Sequence, residues 1–351
     1  MPKPRRIQEH GKFVKALLDW YQRVQRPLPW RTDQSPYRVW LSEIMLQQTR
    51  IETVKGYFDR FLATYPTVEQ LAAGDDSTLF KLWEGLGYYA RARNLKKAAQ
   101  IIVEQGFPTT AKGWLELPGI GPYTAGAIAS IAFNEPVAAV DGNVVRVLSR
   151  LLGRTYSREE ATGLLANWIP PGRASDFTQA WMEAGELVCL PNGDPQCLLC
   201  PLQPWCQALA TGRIAELPAP PEKRPRKVQE LTVFLLCCQG RYALRQRPST
   251  GLLARLWEYP NVPGKLDSQA AIAQLSAWSG GQTDADAMPS ITPLPPSIHQ
   301  FTHIEWRMTN YRVDMPKPLP LFQWVTPAEL KDTYTVPTAF QTLRKLCVSP
   351  R

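Results

Sequence analysis

Apolar residues recur along this chain at two different periods, and the change of period divides it. From residue 7 to about residue 188 they return every three to four positions, the spacing that lines one face of an α-helix. This predicts helices over Ile7–Val24, Tyr37–Gln48, Ile51–Tyr65, Ser77–Leu86, Ala90–Glu104, Tyr123–Phe133, Gly142–Leu152, Arg158–Trp168 and Ala174–Leu187, with short loops rich in Gly and Pro between them. Beyond the helices, strand-length runs of Val, Leu, Phe, Thr and Tyr take over at Glu230–Cys238, Arg241–Gln246, Ile298–Trp306 and Met308–Met315. Helical patterns at Ser268–Trp278 and Thr338–Cys347 accompany them, and residues 281–297, rich in Pro, Ser and Thr, read as a loop. Residues 217–227, Leu-Pro-Ala-Pro-Pro-Glu-Lys-Arg-Pro-Arg-Lys, hold too many prolines for a helix or a central strand. No internal repeat is visible. The expected fold class is α + α/β in two domains: an all-α domain over 1–215, a semi-rigid basic linker over 216–228, and a smaller α+β domain over 229–351.

Composition narrows the class of partner. The 351 residues suffice for two cores, and a net charge of +9 favours a polyanion, although charge alone fits a merely soluble basic protein equally well. No run of 18 apolar residues exists, and the basic first ten residues lack an apolar signal core. The expectation is a cytoplasmic, nucleoid-associated monomer that is neither exported nor membrane-bound. Of the seven cysteines, Cys189, Cys197, Cys200 and Cys206 cluster within eighteen residues, which argues for a metal site rather than disulfides. Four thiolates suit a tetrahedral zinc or a cubane iron–sulfur cluster. Only one Cys-x-x-Cys knuckle is present and Pro201 follows the third cysteine, so the single-loop spacing fits a [4Fe–4S] cluster better, in a structural role.

The most informative stretch is Leu117-Pro118-Gly119-Ile120-Gly121-Pro122-Tyr123-Thr124, followed by a small-residue apolar helix and Val140-Asp141-Gly142-Asn143. Gly119 and Gly121 permit a tight turn and close approach of backbone N–H groups to an anion, which the next helix favours with its positive N-terminus. Such a turn grips a DNA phosphate without reading sequence. Asp141 is then a carboxylate at a fixed distance from the grip, with an ordinary helix N-cap as the equally weighted alternative. Glu43 sits among apolar neighbours in Ser42-Glu43-Ile44-Met45-Leu46-Gln47-Gln48-Thr49; facing inward it would be a general acid, facing outward a solvated helix residue. One protonated and one ionised carboxylate are what cleavage of an N-glycosidic bond requires. The hairpin carries Tyr123 where a strand-nicking enzyme would place a lysine, so base removal without strand cleavage is expected. Trp30 and Arg31 at a loop, and Gln48 and Tyr88, are candidates to enclose an extruded base and fill its gap, although core packing is the commoner fate of any one aromatic.

These motifs, with Gly85-Leu86-Gly87-Tyr88-Tyr89-Ala90-Arg91-Ala92-Arg93-Asn94-Leu95 and the cysteine loop, resemble the helix-hairpin-helix glycosylases of the endonuclease III superfamily, and within it the adenine DNA glycosylases of the MutY family. The likeness runs almost the whole chain. It implies removal of adenine paired with 8-oxoguanine or guanine in double-stranded DNA, leaving an abasic site, and one [4Fe–4S] cluster. By that resemblance Glu43 protonates adenine at N7 and later handles the water, Asp141 stabilises or traps the oxocarbenium ion, and Tyr123 and Asn143 support the sugar and water. Leu28, Trp30, Arg31 and Gln179 match positions around the adenine. Gln48 and Tyr88 match residues inserted into the base stack, and Thr49 and Leu86 lie near the oxidised guanine. The C-terminal domain resembles a Nudix-like fold, in which Phe301-Thr302-His303 matches a Phe-Ser-His loop that reads 8-oxoguanine. After Gly251 only one acid, Glu258, stands where a Nudix hydrolase carries an acidic helix for magnesium, which argues against phosphohydrolase activity. Two departures stand out: a first cysteine spacer of seven residues instead of six, and Thr302 in place of Ser. Rival readings are a pyrimidine-specific glycosylase on the same scaffold and a non-catalytic DNA-binding iron–sulfur protein.

Overall fold

A computed structural model describes residues 10–191, 193–219, 225–280 and 289–348. Contacts group the chain into two compact units, one formed by Met1–Ala73 with Arg93–Glu222 and the other by Gly74–Ala92 with Lys223–Arg351. Among the described residues no helix is long and apolar enough to cross a membrane.

The first unit is helical. Its core is built where the apolar faces of His10–Val24, Gly142–Leu152 and Ala174–Glu183 meet, through Leu17, Tyr21, Leu148, Phe177 and Trp181. Trp40 and Trp114, both fully buried, pack with ring centroids 5.9 Å apart. The predicted helices are present with ends shifted by a few residues. Four α-helices of this unit that sequence periodicity missed, Pro29–Thr32, Val68–Ala73, Ala111–Leu115 and Gln207–Ala210, are too short to display a period. Residues 7–9 of the first predicted helix lie outside the described residues. The helix Ala174–Glu183 does not run on unbroken: it passes into a π-helical turn, Ala184–Val188, closed by donation from the Cys189 N–H to the Ala184 carbonyl at 2.8 Å. Gly185 is required in that turn, because a Cβ there would stand 2.9 Å from the Asn143 Cβ. Of the predicted linker, Leu217 is buried, and its carbonyl accepts from Arg150 Nε at 2.9 Å, so this part of the segment is packed on helical structure. Residues 220–224 lie outside the described residues.

In the second unit a mixed sheet comprises β1 (Lys227–Cys238), β2 (Arg241–Gln246), β3 (Trp257–Glu258), β4 (Asn261–Pro263), β5 (Ser290–Gln300), β6 (Ile304–Asp314) and β7 (Gln323–Val325). Its order is β3-β2-β1-β6-β5, with β4 on β1 and β7 on β2. The long central pair β1–β6 is parallel and in register from Lys227↔Ile304 to Cys237↔Asp314. Successive β1 residues alternate between two cores. Val233, Leu235 and Cys237 face a cluster with Phe340 and Leu343, and Phe234, Leu236 and Cys238 face one with Ala271 and Leu275 of the helix Ser268–Trp278.

Two expectations fail here. Residues 290–297 are strand rather than loop, and the predicted strand Ile298–Trp306 is broken by a turn at 301–303 between β5 and β6. The first has a physical cause. β5 is an edge strand with a mostly exposed face, and prolines at 293, 295 and 296 are tolerated where one row of N–H groups has no partner strand. Residues 281–288 lie outside the described residues.

Candidate active site

Glu43 lies in the last turn of the helix Pro36–Leu46, among the buried side chains Trp40, Ile44 and Met45. It is 6% exposed, so the inward-facing alternative holds. Burial pushes its carboxyl from 4.5 up to about 7; the Tyr123 hydroxyl opposes this, the Asp141 charge adds to it and Arg31 opposes it. Such an acid keeps a proton near neutrality.

The second carboxylate is held differently. Asp141 is the N-cap of the helix Gly142–Leu152, where the Val144 N–H donates to Oδ1 at 2.8 Å and Asn143 Nδ2 donates to Oδ2 at 3.0 Å. Tyr123 stands in the first turn of the helix Pro122–Phe133, its hydroxyl beside Glu43 and 4.0 Å from the Met182 sulfur. Burial above all, with Glu43 and Asp141 nearby, raises its phenol well above the ordinary 10, so it stays a hydrogen-bond donor.

These groups face one open cavity of about 990 Å³. The same cavity is lined by the sequence-predicted Leu28, Trp30, Arg31, Gln48, Thr49, Gly121, Asn143 and Gln179. Trp30 is buried and packs edge-on against Phe58 with ring centroids 5.3 Å apart. Sequence reasoning missed Arg26, Met182, Glu183 and Glu186, which also line it. Arg26 and Glu183 are 157 positions apart, and the one available signal was a Glu one helical turn beyond Gln179.

The hairpin before Pro122 divides the labour of its glycines. Gly119 has φ +80°, and a Cβ there would fall 2.6 Å from the Asn94 Cβ. Gly121 has φ −96° and caps the helix Pro122–Phe133. The conformational argument made for both therefore holds only for Gly119. A Cβ on Gly121 would meet nothing within 4 Å, so what its absence preserves is open space in front of the helix N-terminus.

Cys189, Cys197, Cys200 and Cys206 are partly buried free thiols lining one small cavity, together with Arg150. Arg150 Nη1 lies 3.4 Å from the Cys189 sulfur, and burial pushes the Cys200 thiol up to about 12. Among the described residues no three His, Cys, Asp or Glu side chains are drawn together tightly enough to hold a single metal ion. The thiols surround a space rather than a point. A chain of bonds leads from here to the cavity: Arg146 Nε donates to the Cys189 carbonyl at 2.9 Å, Arg146 Nη1 to Asn143 Oδ1 at 2.9 Å, and Asn143 to Asp141.

The remaining predicted residues belong to the second unit. Leu86 is buried, whereas Tyr88 is 50% exposed and has φ +46°. Its hydroxyl lies 3.0 Å from the Thr302 hydroxyl at the β5–β6 turn. Phe301 packs edge-on against Trp306, ring centroids 4.9 Å apart, while Thr302 and His303 are exposed. Glu258 is buried; Arg245 Nε donates to Oε1 at 2.9 Å and Arg247 Nη1 donates to Oε2, so both oxygens are already engaged.

The pattern defining the HhH-GPD superfamily of base excision DNA repair proteins matches residues 41–171, and that of the NUDIX domain matches residues 232–346. The adenine DNA glycosylase of Homo sapiens is 33% identical to this chain over 418 aligned positions, covering 96% of the chain and 74% of that protein. The adenine DNA glycosylase of Schizosaccharomyces pombe is 33% identical, covering 76% of the chain and 74% of that protein. Among solved structures, a thermostable thymine-DNA glycosylase is 29% identical with a TM-score of 0.52, over 57% of this chain and 96% of its own. An endonuclease III–DNA complex, 24% identical with a TM-score of 0.51 over 57% of this chain and 95% of its own, shares the helical fold.

Proposed function

The chain belongs to the adenine DNA glycosylases, base excision repair enzymes that hydrolyse N-glycosyl bonds, and we propose that its substrate is adenine opposite 8-oxoguanine, removed without strand cleavage. The observation that carries the mechanism is a pair of carboxylates in one cavity, one buried with a raised pKa and one capping a helix. Glu43 delivers its proton to N7 of the extruded adenine, which makes the base a neutral leaving group. Asp141 stabilises the positive charge that develops on the sugar, and Asn143 and Tyr123 hold sugar and water beside it. Glu43, now a carboxylate, accepts a proton from the attacking water. Among the described residues that line the cavity there is no lysine whose amine could form a Schiff base with the abasic sugar. Gly119 and Gly121 set the backbone at a phosphate. Gln48 and Tyr88 enter the base stack, Thr49 and Leu86 lie near the oxidised guanine, and Phe301, Thr302 and His303 read it. Discrimination against pyrimidines rests on Arg31, Trp30 and Gln179.

The four cysteines suit a [4Fe–4S] cluster: their four thiols line one small cavity, and Arg150 brings positive charge to within 3.4 Å of the Cys189 sulfur. Bound there, the cluster supplies rigidity, tying the 189–206 loop to the helix Gly142–Leu152. The domain reading that follows is a glycosylase domain over 1–215, a linker over 216–228 and an 8-oxoguanine-reading domain over 229–351.

The test is single-turnover excision on an 8-oxoguanine:adenine duplex, analysed with and without alkaline workup. Strand breaks seen only after alkali are expected. Breaks without alkali would overturn the monofunctional reading, and absence of any abasic product would overturn the catalytic one. Iron and acid-labile sulfide in the same preparation are expected in about equal amounts.

A further inference from the structure

Glu183 ends the helix Ala174–Glu183 with a side chain that is fully buried, in the wall of the cavity between Arg26 and Arg31. Its carboxylate collects five donors. Arg26 gives its backbone N–H at 3.0 Å and Nε at 2.8 Å to Oε1, and Nη2 at 2.7 Å to Oε2. Arg31 adds Nη1 at 3.1 Å to Oε1 and Nη2 at 3.0 Å to Oε2. Two planar guanidinia thus share one carboxylate in forked geometry, the arrangement that fixes orientation as well as distance. Arg31 is further held by donation from Nη1 to the Arg26 carbonyl at 3.2 Å, and its guanidinium stands 5.7 Å from the Tyr21 ring centroid. Burial works to raise the Glu183 carboxyl, but the two arginines outweigh it and hold it down at about 2, so it stays charged at every working pH.

The consequence concerns the segment between the two arginines. Leu28, Trp30 and Arg31 all line the cavity, yet the helix that carries the last two, Pro29–Thr32, is only four residues long and makes no side-chain cap bond. So short a helix does not hold itself. Glu183 binds both its approach, at Arg26, and its far end, at Arg31. It also stands one turn after Gln179 on the same helix face. We propose that Glu183 is a positioning residue, a single buried carboxylate that presets the base-enclosing wall by locking Arg31 and the 26–31 segment onto the helix bearing Gln179. This rests on the reading of the cavity as the adenine site. It adds a residue that need not touch the base.

The experiment compares Glu183→Gln and Glu183→Asp with the parent in single-turnover excision across pH, alongside binding to an uncleavable duplex and thermal unfolding. Glu43 reports the outcome, because the groups acting on it are Tyr123, Asp141 and Arg31. If Glu183 places Arg31, neutralising it releases the guanidinium, the restraint on the Glu43 pKa is lost, and the alkaline limb of the rate profile moves up. If Arg31 stays in place unaided, that limb does not move up. The expected result for Glu183→Gln is an upward shift, an excision rate constant lowered roughly 10- to 100-fold, and duplex affinity changed by less than about threefold, since phosphate contacts dominate binding. Glu183→Asp keeps the charge but is one methylene short, and should fall between the two; it carries the test alone if Glu183→Gln does not fold. A limb that moves down or stays still, with a parental rate, overturns the positioning role. Loss of rate only in proportion to unfolded protein would do so as well. A parent inactive on adenine would instead overturn the reading of the cavity, and this inference with it.

Discussion

At the scale of single residues, the raised carboxyl of Glu43 has a thermodynamic signature separate from catalysis. Its folded-state pKa of about 7 lies above the ordinary 4.5, so the folded protein binds this proton more tightly than the unfolded chain does. The favourable contribution is therefore present below about pH 4.5 and is lost as pH rises through 7. Above that pH the buried charge costs on the order of 3 kcal/mol. Glu43→Gln should accordingly abolish excision while raising the unfolding temperature at pH 8, and that gain should shrink at pH 5. Equal unfolding temperatures at both values would mean that Glu43 is not desolvated. The inward-facing option for this residue was legible from its apolar neighbours. Its partnership with Tyr123 was not, because hydrogen-bond geometry between helices 80 positions apart leaves no mark on either local pattern.

Among elements, the hairpin before Pro122 allows the two uses of glycine to be separated experimentally. Gly119→Ala introduces a Cβ against Asn94 at a positive φ, and should destabilise the protein by about 1–3 kcal/mol in chemical unfolding. Gly121→Ala is sterically silent within the protein and should unfold like the parent, but its methyl occupies the space in front of the helix N-terminus. Duplex affinity should fall, with the slope of log affinity against log salt reduced by about one. Parental salt dependence in Gly121→Ala would remove the phosphate from this place. The hairpin was readable because glycine and proline leave strong local signals. Short helices and the proline-bearing edge strand β5 were not: four to six residues hide a period, and an edge strand sheds the alternation and N–H pairing that identify a strand. Their conformation is set by what they pack on. Glu183 escaped notice for a related reason, since a Glu at a helix end reads as solvated until the arginines from another segment arrive.

For the whole molecule, the proposed function gives recognition of the lesion and removal of the base to different residues, which makes them separable. Thr302→Ala deletes a hydroxyl that meets Tyr88 at 3.0 Å, and one neutral hydrogen bond contributes about 1 kcal/mol. The variant should therefore lose roughly fivefold in its preference for 8-oxoguanine:adenine over guanine:adenine, with guanine:adenine excision unchanged; a preserved ratio in competition assays would detach this turn from lesion reading. The π-helical turn Ala184–Val188 bears on a different property, tolerance to changes in chain length. Each residue added to or removed from a helix rotates everything after it by about 100°. The described residues of the spacer Leu190–Gln196 belong to no helix or strand, whereas the turn before it is already one residue longer than α-helical pitch and sits between Glu183 and Cys189. Removing one residue there would restore a regular helix and swing the first cysteine away from its three companions. Insertions and deletions, which sequence identity scores only weakly, should be filtered far more severely across these five positions than across the seven that follow Cys189.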